Sequence, residues 1–220
     1  SSDLSGFGCR VCPQCLRRVR RLVALAVLVK VNRFGERSDL DARLVVLHPD
    51  RRLPVPVENV LGEVGKGFRY LLHGLNPERV LFGAESVGLG RAALRKATSY
   101  ARDRIVFGRP IGMNQGIQHP LAEKWMYLES AWLMVEKAAR LYDSGLPCGA
   151  EANAAKFLAA RACHDAAWQA VATHGGFGYA KEYHVERLYR EAALTRLAPI
   201  TEQLIMSFIA EKVLGLPKSY

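Results

Sequence analysis

The chain has 220 residues, half of them hydrophobic and 24% charged, with a formal net charge of +10, which is the composition of an ordinary soluble globular protein. The positive excess is local, because residues 1–55 hold 11 Lys/Arg against 5 Asp/Glu while the rest hold 20 against 16. The only continuous apolar run, Leu22 to Val29, is too short to span a bilayer. Five cysteines without disulfide-like spacing point to a reducing, cytoplasmic setting.

Cys9, Cys12 and Cys15 have metal-like spacing. A zinc or iron–sulfur site needs a fourth ligand, and none follows nearby, so no metal is expected. The basic run Arg17 to Arg21 lacks the aromatic platform of a nucleic-acid site. It precedes an apolar run as in a signal peptide, but no small-residue cleavage site follows. Residues 1–53 show no sustained period. Pro54-Val-Pro-Val57 reads as extended, since each proline biases its predecessor away from the helix. Glu58 to Gly67 reads as a strand end followed by a glycine-punctuated loop.

Beyond Gly67 the pattern is helical. A short helix, Phe68 to His73, is expected to stop at Gly74. Asn76, Pro77 and Glu78 then read as the N-cap, first-turn proline and first-turn acid of a helix running to about Arg104. A third helix covers Gln115 to Asp143, with apolar positions such as Ile117, Leu121, Leu128, Val135 and Tyr142 at steps of three, four or seven. An alanine-rich helix runs from about Ala150 to Thr173, a short one from about Val185 to Arg190, and a last one from about Ile200 to Leu214. Long helices on short connections predict a mainly α fold, an antiparallel four-helix-type bundle over residues 68–220. A short β remnant and linker (54–67) and an unassigned basic segment (1–53) precede it.

Two segments carry more than helix punctuation. Ala101-Arg-Asp-Arg-Ile-Val-Phe-Gly-Arg-Pro-Ile111 has the arginines and glycine of a helix C-terminus. That does not explain why this string leads through Asn114-Gln115 into a new amphipathic helix. Ala172-Thr-His-Gly-Gly-Phe-Gly178 also reads as a helix C-cap, where glycine tolerates positive φ. Together the segments resemble the C-terminal helical domain of the acyl-CoA dehydrogenases over about residues 54–220. In that family an R-x-x-F-G segment with a following glutamine, and a G-G-x-G turn, contact FAD that belongs largely to the neighbouring subunit.

The resemblance therefore implies FAD as cofactor. It assigns Arg104 to the pyrophosphate, to which a guanidinium fork is suited, and Phe107 to packing on the cofactor. Asn114 and Gln115 would reach the adenosine side, and the backbone of Gly175 and Gly176 would approach the cofactor closely. Val106 stands where a hydroxyl residue is common and cannot donate that hydrogen bond. Ala172 replaces a polar residue, and His174 one that is often apolar. Thr201 and Gln203 match positions near the flavin.

The implied reaction is α,β-dehydrogenation of an acyl-CoA thioester. A carboxylate in a dry site removes the α-proton while the β-hydrogen leaves as hydride. Many members carry that glutamate just before a Gly-Thr segment, but in Leu197-Ala-Pro-Ile-Thr-Glu-Gln203 Pro199 takes its place. Isovaleryl- and long-chain-type members carry it in an x-E-R sequence opening the long helix, and Asn76-Pro-Glu-Arg79 has that form. Glu78 is thus the candidate base, with Asn76 and Arg79 on the substrate side and Glu202 a distant second. A first-turn glutamate is also favoured by the helix dipole without any chemistry, and that dipole works against raised basicity.

The implied partners are acyl-CoA, a homodimer or homotetramer sharing FAD sites, and an electron-transfer acceptor, with no nucleic acid and no membrane. A full member places a helical domain and a β-domain before this point, so the chain reads as N-terminally incomplete. The composition of residues 1–53 suggests a frameshift or misassigned start, which translating the upstream DNA in other frames would test. The competing reading is a non-catalytic helical oligomerisation domain, or an inactive fragment of such an enzyme.

Overall fold

The structure, a computed structural model, describes residues 43–48, 51–56, 59, 62–63 and 65–219. The cysteine cluster, the basic run and the apolar run lie outside the described residues. The chain divides into two compact units between Leu75 and Asn76.

In the first unit, β1 (Arg43–His48) pairs antiparallel with β2 (Arg51–Pro56), Arg43 opposite Pro56 and His48 opposite Arg51. The extended reading of Pro54 to Pro56 is met. The strand starts earlier than expected, at Arg51, and its partner lies in a stretch where no period was found. Pro54 and Pro56 cannot donate to a ladder, which a two-stranded ribbon tolerates because each strand is an edge.

Helix α1 (Gly67–Asp103) runs unbroken through Gly74 and Pro77, where two helices were expected. An internal proline removes the one backbone bond its own N–H would donate. Asn76 does not cap a new helix; its side-chain oxygen accepts a hydrogen bond from Arg79 at 2.9 Å. Glu78 therefore sits well inside α1, about 16 Å along the axis from its first residue, and no acid occupies the first turn. The dipole acts mainly within the terminal turn. Both the dipole explanation of Glu78 and the dipole objection to its basicity consequently lapse.

The second unit continues with α2 (Gln115–Asp143), α3 (Gly149–His174), α4 (Val185–Leu197) and α5 (Glu202–Lys212). Helix α4 outruns its expected end at Arg190 because its buried stripe of Val185, Leu188, Ala192 and Thr195 continues for two more turns. Neighbouring residues give the directions. Gly83 faces Val135 and Ala155, and Gly90 faces Leu128 and Cys163, so α2 runs against α1 while α3 runs with it. Lys156 meets Arg196, and His164 meets Tyr189, so α4 runs against α3. The result is the antiparallel four-helix bundle, with α5 at the end where α3 begins.

The core is alanine-rich along α3: Ala152, Ala155, Ala159, Ala166, Ala167 and Ala170 are fully buried. Small residues let the helix axes approach. A Cβ on Gly90 would stand 2.6 Å from Leu128 Cδ2 and 3.1 Å from the Cys163 Cα, so α1 and α3 meet there backbone to backbone. Larger side chains complete the packing at Val87, Leu94, Leu128 and Val135. Of the tryptophans, Trp132 packs partly against the core and lies under the Arg91 guanidinium, while Trp125 and Trp168 are exposed.

Candidate cofactor and substrate sites

The bundle gathers the candidate residues at its two ends. At one end, α1 finishes in the strands β3 (Ile105–Val106) and β4 (Arg109–Pro110). The two linking residues, Phe107 and Gly108, both have positive φ, 53° and 76°, the geometry of a tight hairpin turn. Glycine adopts this freely, whereas a bulky side chain there is strained. The Phe107 ring is nevertheless fully exposed. An apolar ring held outward at conformational cost marks a surface built to meet something else.

Beside this hairpin, Gly175 ends α3 with φ +59°. Between the two segments lies an open cleft of about 470 Å³, lined by Tyr100, Arg104, Val106, Ile111 and residues 172–177. The Arg104 guanidinium is exposed and stacks over the Phe177 ring at 5.6 Å; among the described residues no carboxylate pairs with it. A Cβ built on Gly175 or Gly176 meets nothing within 4 Å, so a ligand has room to reach the backbone. A forked cation with available donors, bare glycine backbone and an apolar wall suit a pyrophosphate carrying an aromatic group.

His174 forms the buried floor of the cleft. Its Nδ1 lies 2.7 Å from the Ala170 carbonyl, and its ring stacks on Tyr100 at 4.2 Å, with Tyr183 against its edge. Burial pushes its pKa below the ordinary histidine value, an effect the Ala170 carbonyl only partly opposes. The neutral ring then donates from Nδ1 to that carbonyl and keeps Nε2 as an acceptor. Asn114 closes its own turn, donating to the Ile111 carbonyl at 3.0 Å and accepting from Arg109 at 2.7 Å. Gln115 is exposed at the start of α2. Neither residue lines the cleft.

Glu78 and Tyr100 are 22 residues apart on one helix, about 33 Å, so the candidate base belongs to the opposite end. Glu78 is half-buried there. Arg79 is 7% exposed and its Nε is buried without a hydrogen-bond partner. Burial lowers its pKa and the neighbouring Glu78 opposes the change. An orphaned guanidinium N–H is costly, and this one is shielded from solvent. Phe82, Glu85 and Leu89 follow Glu78 at steps of four, seven and eleven on the same face of α1. With Glu191, Leu194 and Thr195 of α4 they line a second cavity of about 290 Å³.

Thr201 caps α5, its hydroxyl accepting from the Leu204 N–H at 3.5 Å, and Gln203 is exposed. Glu202, the second candidate base, is 4% exposed and gripped by Arg196 at 2.7 Å and Arg161 at 3.1 Å. Those two guanidinium groups, Arg196 foremost, hold its pKa below the usual glutamate value, so its place is an ion-pair anchor. Sequence reading missed this network, the buried Lys156 beside it, and Tyr100 in the cleft wall. Spacing alone gives no sign of pairings 40 residues apart.

Among the described residues no three or more His, Cys, Asp or Glu side chains are grouped to hold a metal, and no helix is long and apolar enough to cross a membrane.

The family model described as acyl-CoA dehydrogenase, C-terminal domain, matches residues 65–214. The chain belongs to the acyl-CoA dehydrogenase family. Acyl-CoA dehydrogenase FadE12 of Mycobacterium tuberculosis is 42% identical over 184 residues, which cover 80% of this chain and 47% of that protein. The probable acyl-CoA dehydrogenase YngJ of Bacillus subtilis is 41% identical and covers 86% of this chain and 49% of its own length. Residues 54–220 are about three quarters of the chain, so the family likeness reaches upstream of Pro54.

Among solved structures, butyryl-CoA dehydrogenase from Megasphaera elsdenii matches with a TM-score of 0.72 and 34% identity, over 74% of this chain and 43% of that one. A glutaryl-CoA dehydrogenase in complex with glutaryl-CoA matches with a TM-score of 0.72 and 35% identity, over 77% and 43%. The chain thus spans about half the length of the relatives it matches.

Proposed function

We propose that this chain forms the C-terminal half of an FAD-dependent acyl-CoA dehydrogenase, with Glu78 as the base. The observation that carries the reading is the convergence of Arg104, Val106 and residues 174–176, from two helix ends distant in sequence, on one open cleft. In this reading Arg104 holds the cofactor's pyrophosphate, Gly175 and Gly176 let it approach, and Phe107 packs on it. Asn114 shapes the turn that presents Gln115 to the adenosine side. His174 sets the cleft floor, and Thr201 and Gln203 face the flavin at the far end of the bundle. FAD, when bound, supplies the hydride acceptor.

The chain's own residues handle the proton. Glu78 takes it from the substrate's α-carbon while the β-carbon gives up hydride, so two C–H bonds become one C=C bond. Arg79, whose buried guanidinium neighbours Glu78, supplies positive charge near the thioester carbonyl, where negative charge develops as the proton leaves. Asn76 holds Arg79 in place at 2.9 Å. The acyl group follows the α1 face of Phe82 and Leu89.

The family resemblance supports a homodimer or homotetramer in which one chain serves two cofactors, its two ends lying about 33 Å apart. The sequence divides as a basic segment, a β-domain end and the helical domain from residue 68. One relative is named as the CarC subunit of a caffeyl-CoA reductase–Etf complex in Acetobacterium woodii, which supports an electron-transferring flavoprotein as acceptor. The test is anaerobic mixing of the FAD-loaded protein with saturated acyl-CoAs of increasing length. Loss of flavin absorbance with enoyl-CoA formed is expected. Protein that gains no flavin on titration with FAD would instead indicate a helical oligomerisation domain.

A further inference from the structure

We infer that Lys156 is a positioning residue that ties down the loop 198–201 from inside the bundle. Lys156 is 1% exposed and among the largest fully buried side chains. Its Nζ donates to the Ile200 carbonyl at 2.7 Å and to the Arg196 carbonyl at 3.3 Å. These carbonyls bracket the connection from α4 to α5. Arg196 lies in the last turn of α4, where carbonyls have no intrahelical partner, and Ile200 lies just before the α5 cap.

The same loop is fixed again one residue past its end. Glu202 is held by the Arg196 side chain at 2.7 and 3.0 Å and by Arg161 of α3 at 3.1 and 3.2 Å. Arg161 itself lies over the Phe157 ring at 4.2 Å. Both ends of a four-residue loop are therefore attached to consecutive turns of α3 through charged groups. Burying an ammonium costs free energy unless its donors are used. A glycine cap or water would satisfy two carbonyls without a buried charge. What the lysine adds is a fixed distance between the loop and the α3 backbone. This rests on the reading above, in which Thr201 and Gln203 face the flavin; a slack loop before them would misplace both.

The test uses the FAD-loaded full chain and two readouts. In Lys156→Met, amide hydrogen exchange at residues 201–205 should rise about tenfold, while residues 104–114 and 172–178 keep wild-type rates. Flavin bleaching by acyl-CoA should slow about tenfold with KM changed less than about twofold, because positioning rather than binding is lost. Cys163→Ala, which disturbs the same helix away from the loop, should not produce the local exchange change. Wild-type exchange at 201–205 in Lys156→Met, or a uniform rise in every helix, would overturn the proposal. If Lys156→Met does not fold, the wild type decides: one lysine ammonium must exchange slowly and show contacts to protons of residues 196–201, and its absence overturns the proposal. A wild type that no acyl-CoA bleaches refutes the dehydrogenase reading, while loop exchange still decides for or against Lys156.

Discussion

Replacing Arg104 by methionine separates a binding role from a structural one. The guanidinium is exposed and its recorded contact is the Phe177 ring at 5.6 Å. An exposed cation–π contact contributes about 0.5–1 kcal/mol, so the melting temperature should fall by no more than about 2–4 °C. Toward a pyrophosphate the same group offers two charge-assisted hydrogen bonds, each about 1.5–3 kcal/mol. The cleft is open to solvent, which favours the low end. A total near 3 kcal/mol predicts about a 100-fold loss of FAD affinity. Arg104→Lys keeps the charge and loses the fork, for a loss of about tenfold. Fluorescence titration with FAD, run beside thermal melts, measures both quantities. The wild-type advantage should shrink with added salt, since exposed charges are screened. An Arg104→Met protein that binds FAD within about threefold of wild type refutes the assignment, because one full hydrogen bond to charge exceeds that.

Three further outcomes follow from single positions. Val106→Thr restores a hydroxyl to the cleft wall, and one added hydrogen bond of about 0.5–1.5 kcal/mol should tighten FAD by roughly twofold to tenfold in the same titration. Gly90→Ala places a methyl 2.6 Å from Leu128 Cδ2. The overpacking, about 1–3 kcal/mol, should outweigh the gain in helix propensity of about 1 kcal/mol, so the urea midpoint should fall; a rise would contradict the packing account. His174 is held below its ordinary pKa by burial, so the unfolded chain takes up its proton first. Its share of stability is full above the unfolded value of about 6.5 and is lost as pH falls toward the lower folded value. His174→Phe should flatten melting temperature against pH just below that value, and an unchanged slope counts against a buried neutral histidine.

Helix periodicity made α2 legible to the residue, since its apolar stripe and both ends are local features. The long helix was misread at Gly74 and Pro77 for the same reason. Local signals there favour a break, yet α1 runs through, and the division between the compact units falls at Leu75 and Asn76 instead. Motif resemblance pointed to Arg104, Gly175 and Gly176, which the fold brings to one cleft. It gave no role to Tyr100, whose partner His174 lies far away in sequence, nor to Lys156, whose carbonyl partners lie 40 and 44 residues on. The hairpin β1–β2 escaped although Pro49-Asp50 between its strands is a turn signal, because Leu44 to Leu47 shows no apolar–polar alternation.

In the proposed reading the chemistry turns on Glu78, and Glu78→Gln tests it most directly. The substitution keeps size and polarity at a half-buried position and removes the proton acceptor. The account predicts a variant that binds FAD and acyl-CoA as the wild type does, yet whose flavin is not bleached under anaerobic mixing. Bleaching at the wild-type rate would contradict it and move the base elsewhere.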